Sequence, residues 1–409
     1  MKFLTLDLVD VSHQRVLIRA DLNVPMKNGE VRDLTRLERL TPTMRELSLK
    51  GARIIVISHF GRPEGKPVGS MSLRPVAQAL AKVLGHAVKF AGDCIGAQAE
   101  EAVKQLQPGE ILVLENTRFY PGEEENDQVM AGKLADMADL YVNDAFSVSH
   151  RAHASTEGVA HLLPCFAGRL MQHELDALGA ILEHPARPMA ALVGGAKVSS
   201  KLGLLQNLLP KIDLLVVGGA MANTFLAAQG HEVGGSLQEP GMHDAARNLL
   251  ARARAMGCEV LLPVDALIGG DQTPDQPVRV ANVDAIPSDA MILDIGPASV
   301  AAILSKLSGM RSLIWNGPLG AFETPPFDQG TSAVARAVAV ATKSGALRSV
   351  AGGGDTVAAL HHAGVLEEFT YVSAAGGAFL EWLEGRTLPG VQALIEGADR
   401  RQLAGPLKN

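Results

Sequence analysis

Cysteine is scarce. The 409 residues hold Cys94, Cys165 and Cys258, far apart and with no CxxC pair. That spacing excludes a disulfide framework and a structural zinc site, and it suits a reducing compartment. Positive charge is not in excess either: 37 Lys and Arg stand against 44 Asp and Glu, a formal net charge of -7. A chain of that balance has no bulk attraction to nucleic acid or to an anionic membrane, so any anion site must be local. Long apolar runs are missing, since IIVIS and DLLVVGG end within a few residues in polar groups or glycine. The opening MKFLTLDLVD lacks the apolar core of a secretory signal and the Arg-rich character of a transit peptide. A cytoplasmic protein with neither a membrane nor a nucleic-acid partner is expected.

Glycine and aliphatic residues are plentiful. Hydrophobic residues reach 47% with aromatics at only 4%, and the 42 glycines are about 10% of the chain against a usual share of about 7%. This is enough apolar material for more than one core. Short β-branched or aliphatic runs at Val16 to Ile18, Ile54 to Ile57, Ile111 to Leu114 and Leu140 to Val142 alternate with helical periodicity at Arg39 to Leu49, Leu73 to Leu84 and Gln128 to Met137. The rhythm restarts at Ala190 to Val193 and continues through Leu214 to Val217, Val260 to Leu262, Met291 to Leu293, Ser312 to Ile314, Val350 and Tyr371 to Val372. Continuous rather than alternating apolar runs mean that both sheet faces are covered by helices. The fold class is therefore α/β: two Rossmann-like domains with mainly parallel sheets covered by helices, joined by an interdomain helix and hinge. The amphipathic stretch Gly168 to Glu183 and the breaker HPARP set the boundaries: 1–170, a linker 171–187, 188–386 and a C-terminal segment 387–409.

The strand ends of the first half carry polar residues that packing alone does not require. They are Arg19, Asp21 and Asn23; Ser58, His59, Gly61 and Arg62; Glu115, Asn116 and Arg118; and Asn143, Asp144, His150, Arg151 and His153. In an open parallel sheet the carboxyl ends of the strands line one crevice, and Arg36 can join from the next helix. Guanidiniums with an imidazole or two make a positive pocket suited to carboxylate and phosphate oxygens, hence to a small polyanion. Arg32, Arg39, Arg45 and Arg53 read instead as solvated surface. His150 and His153 lack the accompanying Cys or Glu of a metal site and read as anion contacts or structural hydrogen bonds.

The second half offers glycine loops after its apolar runs: GGAK at Gly194 to Lys197 with Lys201 beyond it, GGAMANT at Gly218 to Thr224, WNGPLGAFE at Trp315 to Glu323, GGGDT at Gly352 to Thr356 and SAAGGAF at Ser373 to Phe379. Glycine lets backbone N–H groups approach an anion and lysine adds positive charge, so the repeated loops point to phosphate. Asp355 is either a ligand for phosphate-bridging Mg2+ or a helix cap. GxxxxGK[ST] is absent, GRPEGK at Gly61 to Lys66 being one residue short, and no GxGxxG opens the first βαβ unit. Without a G-x-S-x-G elbow, acyl-enzyme chemistry has no support. An anion pocket paired with a phosphate site suits phosphoryl transfer, with hinge closure to exclude water.

RVLIRADLNVP at Arg15 to Pro25 resembles the signature of phosphoglycerate kinases. The resemblance continues in the family's order through ISHFGRP, LENTRF, NDAF with HRAHAST, GGAKVSSK, IWNGPLGAFE and GGGDT. It implies reversible transfer between MgATP and 3-phosphoglycerate, giving ADP and 1,3-bisphosphoglycerate, by a hinge-bending monomer whose C-terminal segment returns to the N-terminal domain. It implies that Asp21, Asn23, Arg36, His59, Arg62, Arg118 and Arg151 hold phosphoglycerate, with Arg36 near the transferring group. Lys197 and Lys201 resemble the nucleotide-phosphate and transition-state lysines, and Asp355 the Mg2+ ligand. Gly195, Ala196, Asn316, Pro318, Gly320, Glu323, Gly353, Gly354 and Thr356 complete the implied nucleotide site. Ser147, Val148 and Ser149 depart from the usual GTA before His150, Ala220 replaces a common glycine, and SAAGGA replaces STGGGA at Ser373 to Ala378. An acyl-phosphate kinase for another small carboxylate, or a noncatalytic two-lobed binding protein, are the alternatives.

Overall fold

The computed structural model describes residues 2–270 and 278–404. Within them, 2–176 with 387–404 form one compact unit and 177–386 another, the first division falling inside the segment 171–187. Residues 405–409, expected to belong to the C-terminal segment, lie outside the described residues.

The strands of the first unit are β1 (Arg15–Arg19), β2 (Met26–Lys27), β3 (Glu30–Val31), β4 (Arg53–Ile57), β5 (Val88–Phe90), β6 (Ile111–Val113), β7 (Leu140–Asn143) and β8 (Cys165–Ala167). Six form a parallel sheet in the order β5-β6-β4-β1-β7-β8, while β2 and β3 make a small antiparallel hairpin. The central strands are buried along nearly their whole length, as their unbroken aliphatic runs require. Helix Arg74–Leu84 shows how a covering layer is specified: Val76, Ala77, Leu80 and Leu84 are buried at helical spacing, and Gly85 ends it at φ +65°. Each of its larger buried side chains contributes about 1.5–3 kcal/mol of apolar burial.

Helix Thr35–Leu49 starts a turn before the expected Arg39 and runs through Pro42. Proline has no N–H for the carbonyl four residues back. Here the Thr41 hydroxyl donates to that Glu38 carbonyl at 2.8 Å. The early start places Arg36 in the helix's first turn. Arg53, expected on the solvated surface, instead opens β4 and is half-buried.

The second unit contains β9 (Met189–Val193), β10 (Leu214–Val217), β11 (Glu259–Leu261), β12 (Asp265–Gly269), β13 (Arg279–Asn282), β14 (Met291–Ile295), β15 (Ser312–Asn316), β16 (Arg348–Gly352) and β17 (Tyr371–Ser373). Its parallel sheet runs β11-β10-β9-β15-β16-β17. Met291 to Leu293, expected in the βα series, instead belongs to a separate antiparallel sheet, β13-β12-β14. The apolar run fixed its strand character, but only its partners fixed its sheet.

Helix Arg169–Leu182 carries the chain from the first unit into the second. Helix Pro389–Ala404 packs on the first unit: Gly390 N–H donates to the Ser149 carbonyl at 2.9 Å, and Arg400 donates to the carbonyls of His161 and Ala160. Gly397 abuts Cys165, whose Sγ would lie 2.2 Å from an added Cβ.

Candidate functional site

In the first sheet, Arg19 aligns with Ile57 on one neighbour and with Asn143 on the other, and Val56 aligns with Val113. The four polar sets therefore leave the sheet at one level on adjacent strands, which gathers residues more than a hundred positions apart. Arg118 is buried, its Nη1 donating to the Gly61 carbonyl at 2.7 Å and its Nε lying 2.9 Å from Glu124. Asn116 braces this corner by accepting the N–H groups of Phe60 and Arg118. Asn23 Oδ1 accepts the Gly61 N–H at 3.1 Å.

Arg36 donates Nη1 to Asp21 at 2.9 Å and to the Asn23 carbonyl at 2.8 Å, leaving much of its side chain exposed. Asp21 also accepts the Ser147 hydroxyl at 2.6 Å, a contact that the sequence departure at 147 creates. Arg62 is exposed, and Arg151 is half-buried with Nε on His150 at 3.2 Å.

Burial and then the charges of Arg19, Arg118 and Arg151 hold His59 well below its usual pKa. Burial, Arg118, Arg19 and Arg151 likewise bring His153 down to about 4. Both rings are therefore neutral at pH 7 in a strongly positive environment, one able to stabilise an incoming polyanion. His153 lies 3.8 Å from the buried Glu123. Among the described residues no cluster of three His, Cys, Asp or Glu could hold a metal.

The second sheet repeats the alignment: Val193 pairs with Val217 and Asn316, and Gly352 with Ser373. The glycine loops thus begin at a common edge. A cavity of about 290 Å3 is lined by Gly195, Ala196, Lys197, Lys201, Asn316, Gly353, Gly354, Asp355 and Thr356. An adjoining one of about 330 Å3 is lined by Pro318, Gly320 and Glu323, by apolar residues such as Leu237 and Ile295, and again by Gly195, Ala196 and Asp355. Asp355 is exposed in the first turn of helix Gly354–His362. This pairing of a polar, lysine-bearing chamber with an apolar one suits an elongated ligand with an anionic end.

GGAK does not lead straight into a helix: Lys201 is the N-cap residue of helix Leu202–Leu208. Lys201 donates to the Asn316 side chain, and burial lowers its pKa against the pull of Asp355 and Glu384. Thr356 lines the same cavity as Lys201, with its hydroxyl engaged on the neighbouring loops. It accepts the Gly317 N–H at 2.7 Å and donates to the Gly352 carbonyl at 2.8 Å, pinning two glycine loops together. Ala220, Ala374 and Ala375 all avoid positive φ, so alanine strains none of these positions.

Sequence reasoning missed Asp294, which lines the apolar chamber from β14. Its carboxyl accepts the N–H groups of Ile295 at 2.8 Å and Gly330 at 2.7 Å. A Cβ on Gly320 or Gly330 would lie 2.1 or 2.7 Å from its Oδ1. The available signal was a lone acid within the apolar run MILDI. Among the described residues no helix is long and apolar enough to cross a membrane.

The family model described as phosphoglycerate kinase matches residues 6–386. A phosphoglycerate kinase of Granulibacter bethesdensis is 60% identical over 394 residues, covering 96% of this chain and all of that protein. One from Brucella melitensis is 58% identical over 394 residues, again 96% of this chain and all of the relative. The structure of phosphoglycerate kinase from Coxiella burnetii is similar with a TM-score of 0.91 and 42% identity, covering 97% of this chain and 100% of that one.

Proposed function

The chain belongs to the phosphoglycerate kinase family and catalyses reversible phosphoryl transfer between ATP and 3-phosphoglycerate, giving ADP and 1,3-bisphosphoglycerate; from that premise we propose that its two units divide the substrates between them. Asp21, Asn23, Arg36, His59, Arg62, Arg118 and Arg151 hold phosphoglycerate. Lys197, Lys201, the Gly195–Ala196 and Gly353–Gly354 backbone, Asn316, Pro318, Gly320 and Glu323 hold the nucleotide, with Thr356 bracing its loops. The observation that carries this reading is the sorting of charge. Guanidiniums and imidazoles converge on the first sheet's strand ends, whereas Lys197, Lys201 and Asp355 line one cavity of the second unit.

In the direction of 1,3-bisphosphoglycerate synthesis, a carboxylate oxygen of 3-phosphoglycerate forms a bond to the γ-phosphorus as the bond to the β-phosphate oxygen breaks. ADP leaves with that oxygen. Transfer is in line and follows hinge closure, which excludes water. Arg36, Lys197 and Lys201 meet the charge that spreads over the phosphoryl oxygens. The donor set fits Mg2+, which is held by one or two carboxylates together with substrate phosphates and water rather than by a protein cage. Asp355, exposed on the cavity wall, is that carboxylate. Bound there, Mg2+ would neutralise phosphate charge. The working form is a cytoplasmic monomer.

Calorimetric titration tests the division. Arg151→Ala should weaken 3-phosphoglycerate binding and leave ADP binding within about twofold, and Asp355→Ala should do the reverse in the presence of Mg2+. Equal loss of both ligands in either variant would overturn it.

A further inference from the structure

Arg19 is wholly buried at the end of β1, and no carboxylate lies within ion-pair distance of it among the described residues. Its Nη2 stands 3.1 Å from His59 Nδ1. Its Nε donates to the Ser155 hydroxyl at 2.9 Å, and that hydroxyl donates to Glu123 Oε1 at 2.6 Å. Glu123, itself wholly buried, also accepts the Ser155 N–H at 3.0 Å. Tyr141, buried beneath, donates its hydroxyl to the Ser155 carbonyl at 3.0 Å. The compensating charge for Arg19 is thus one hydroxyl away, and the chain that reaches it fixes the plane of the guanidinium.

A guanidinium donates and never accepts. The ring nitrogen facing it must therefore offer a lone pair. We propose that Arg19 is a positioning residue, anchored through Ser155 to Glu123, that holds the proton of His59 on Nε2 and so gives the substrate a ring that can donate. A neutral imidazole free of that constraint divides its population between two tautomers, and only one of them has a donor at Nε2. Fixing the tautomer beforehand removes that cost from binding. The low pKa of the ring accords with this, because a protonated ring would set two donors against each other across the 3.1 Å contact. The proposal rests on the reading of His59 as a contact of phosphoglycerate.

Long-range nitrogen–proton NMR correlation on the whole 15N-histidine-labelled protein without ligand tests it, with the His59 signals assigned by their loss in His59→Gln. His59 should show a protonated Nε2 and an unprotonated Nδ1. Arg19→Met should mix the two forms and raise KM for 3-phosphoglycerate by the inverse of the fraction still protonated at Nε2, about twofold for an even mixture, with KM for ATP unchanged. Ser155→Ala keeps Arg19 but removes its anchor, and should produce a smaller shift in the same direction if Arg19→Met does not fold. Protonation at Nδ1 in the parent, or an unchanged tautomer in folded Arg19→Met, overturns the proposal. A tautomer that switches while KM for 3-phosphoglycerate stays put upholds the role of Arg19 and removes His59 from the substrate site.

Discussion

Lys201 donates its ammonium to the side-chain oxygen of Asn316, 115 residues further along the chain. Asn316 in turn donates to the Gly352 carbonyl at 2.6 Å. Three glycine loops are thereby joined through one amide, and the lysine is held in the chamber that it shares with Asp355.

Lys201→Ala should lower kcat by about 100- to 1,000-fold, the usual loss when one donor to a transition-state oxyanion is removed. The circular-dichroism spectrum should not change, because Asn316 keeps its bond to the Gly352 carbonyl when the ammonium is lost. Parent-like turnover in a steady-state assay would remove Lys201 from the chemistry.

Steric demand distinguishes two glycines of the same chamber. A Cβ on Gly194 would lie 1.9 Å from the Pro318 carbonyl oxygen, whereas one on Gly354 would meet nothing within 4 Å. Gly194→Ala should cost about 1–3 kcal/mol or more in urea denaturation. Gly354→Ala, in the first turn of its helix, should stay within about 0.5 kcal/mol. Equal costs would contradict the packing.

Ser147→Gly tests the departure that places a hydroxyl on Asp21. Asp21 would retain Arg36 and the Asn23 N–H but lose the hydroxyl donor. KM for 3-phosphoglycerate should rise about two- to fivefold while KM for ATP holds, the consequence of one lost hydrogen bond near the substrate. An unchanged KM would make Ser147 a bystander.

Burial pushes the Asp294 carboxyl up to about 8, against the N–H groups of Gly330 and Ile295 that favour its charged form. In the unfolded chain it returns to about 4. Between those values the folded state binds more protons, so this group's contribution to stability falls as pH rises from about 4 to about 8. Asp294→Asn does not titrate. Its unfolding free energy should be flatter than the parent's between about pH 5 and about pH 8, and parallel curves would refute the assignment.

Arg169 bridges Asp7 and Glu46, with four contacts of 2.7–2.8 Å. The guanidinium holds Asp7 far below the usual carboxylate range and lowers Glu46 as well. Carboxylates lowered in this way stabilise the fold above their unfolded pKa values and lose that effect as pH falls through the folded ones. Arg169→Ala should lower Tm by about 2–4 °C at pH 7 and by less below about pH 4. The same loss at both pH values would show that the ion pairs are not its cause.

Much of this molecule is legible as one-dimensional pattern. Val16 to Ile18 and Ala190 to Val193 announce buried parallel strands because a strand covered on both faces has no polar side to alternate with. The glycine loops are visible because close approach of a backbone to an anion requires that residue. Family resemblance rests on the same short segments, which is why the reaction could be expected from them and the comparisons then established it.

What pattern cannot hold is partnership. Arg39 to Leu49 reads as helical through Pro42, but the sequence does not show that Thr41 satisfies the carbonyl that the proline abandons. Met291 to Leu293 reads like any other strand until its antiparallel neighbours are known. Asp294 is one acid in an apolar run, Thr356 one hydroxyl beside glycines, and Arg19 one cation after a strand. Their roles come from groups brought near by register and burial. The sequence alone determined which segments become strands and helices, and which chemistry stands at their ends, because both follow from local stereochemistry and apolar periodicity. The tertiary structure decided which donor meets which acceptor, because hydrogen bonding and desolvation depend on ångström distances between residues that the chain itself keeps far apart.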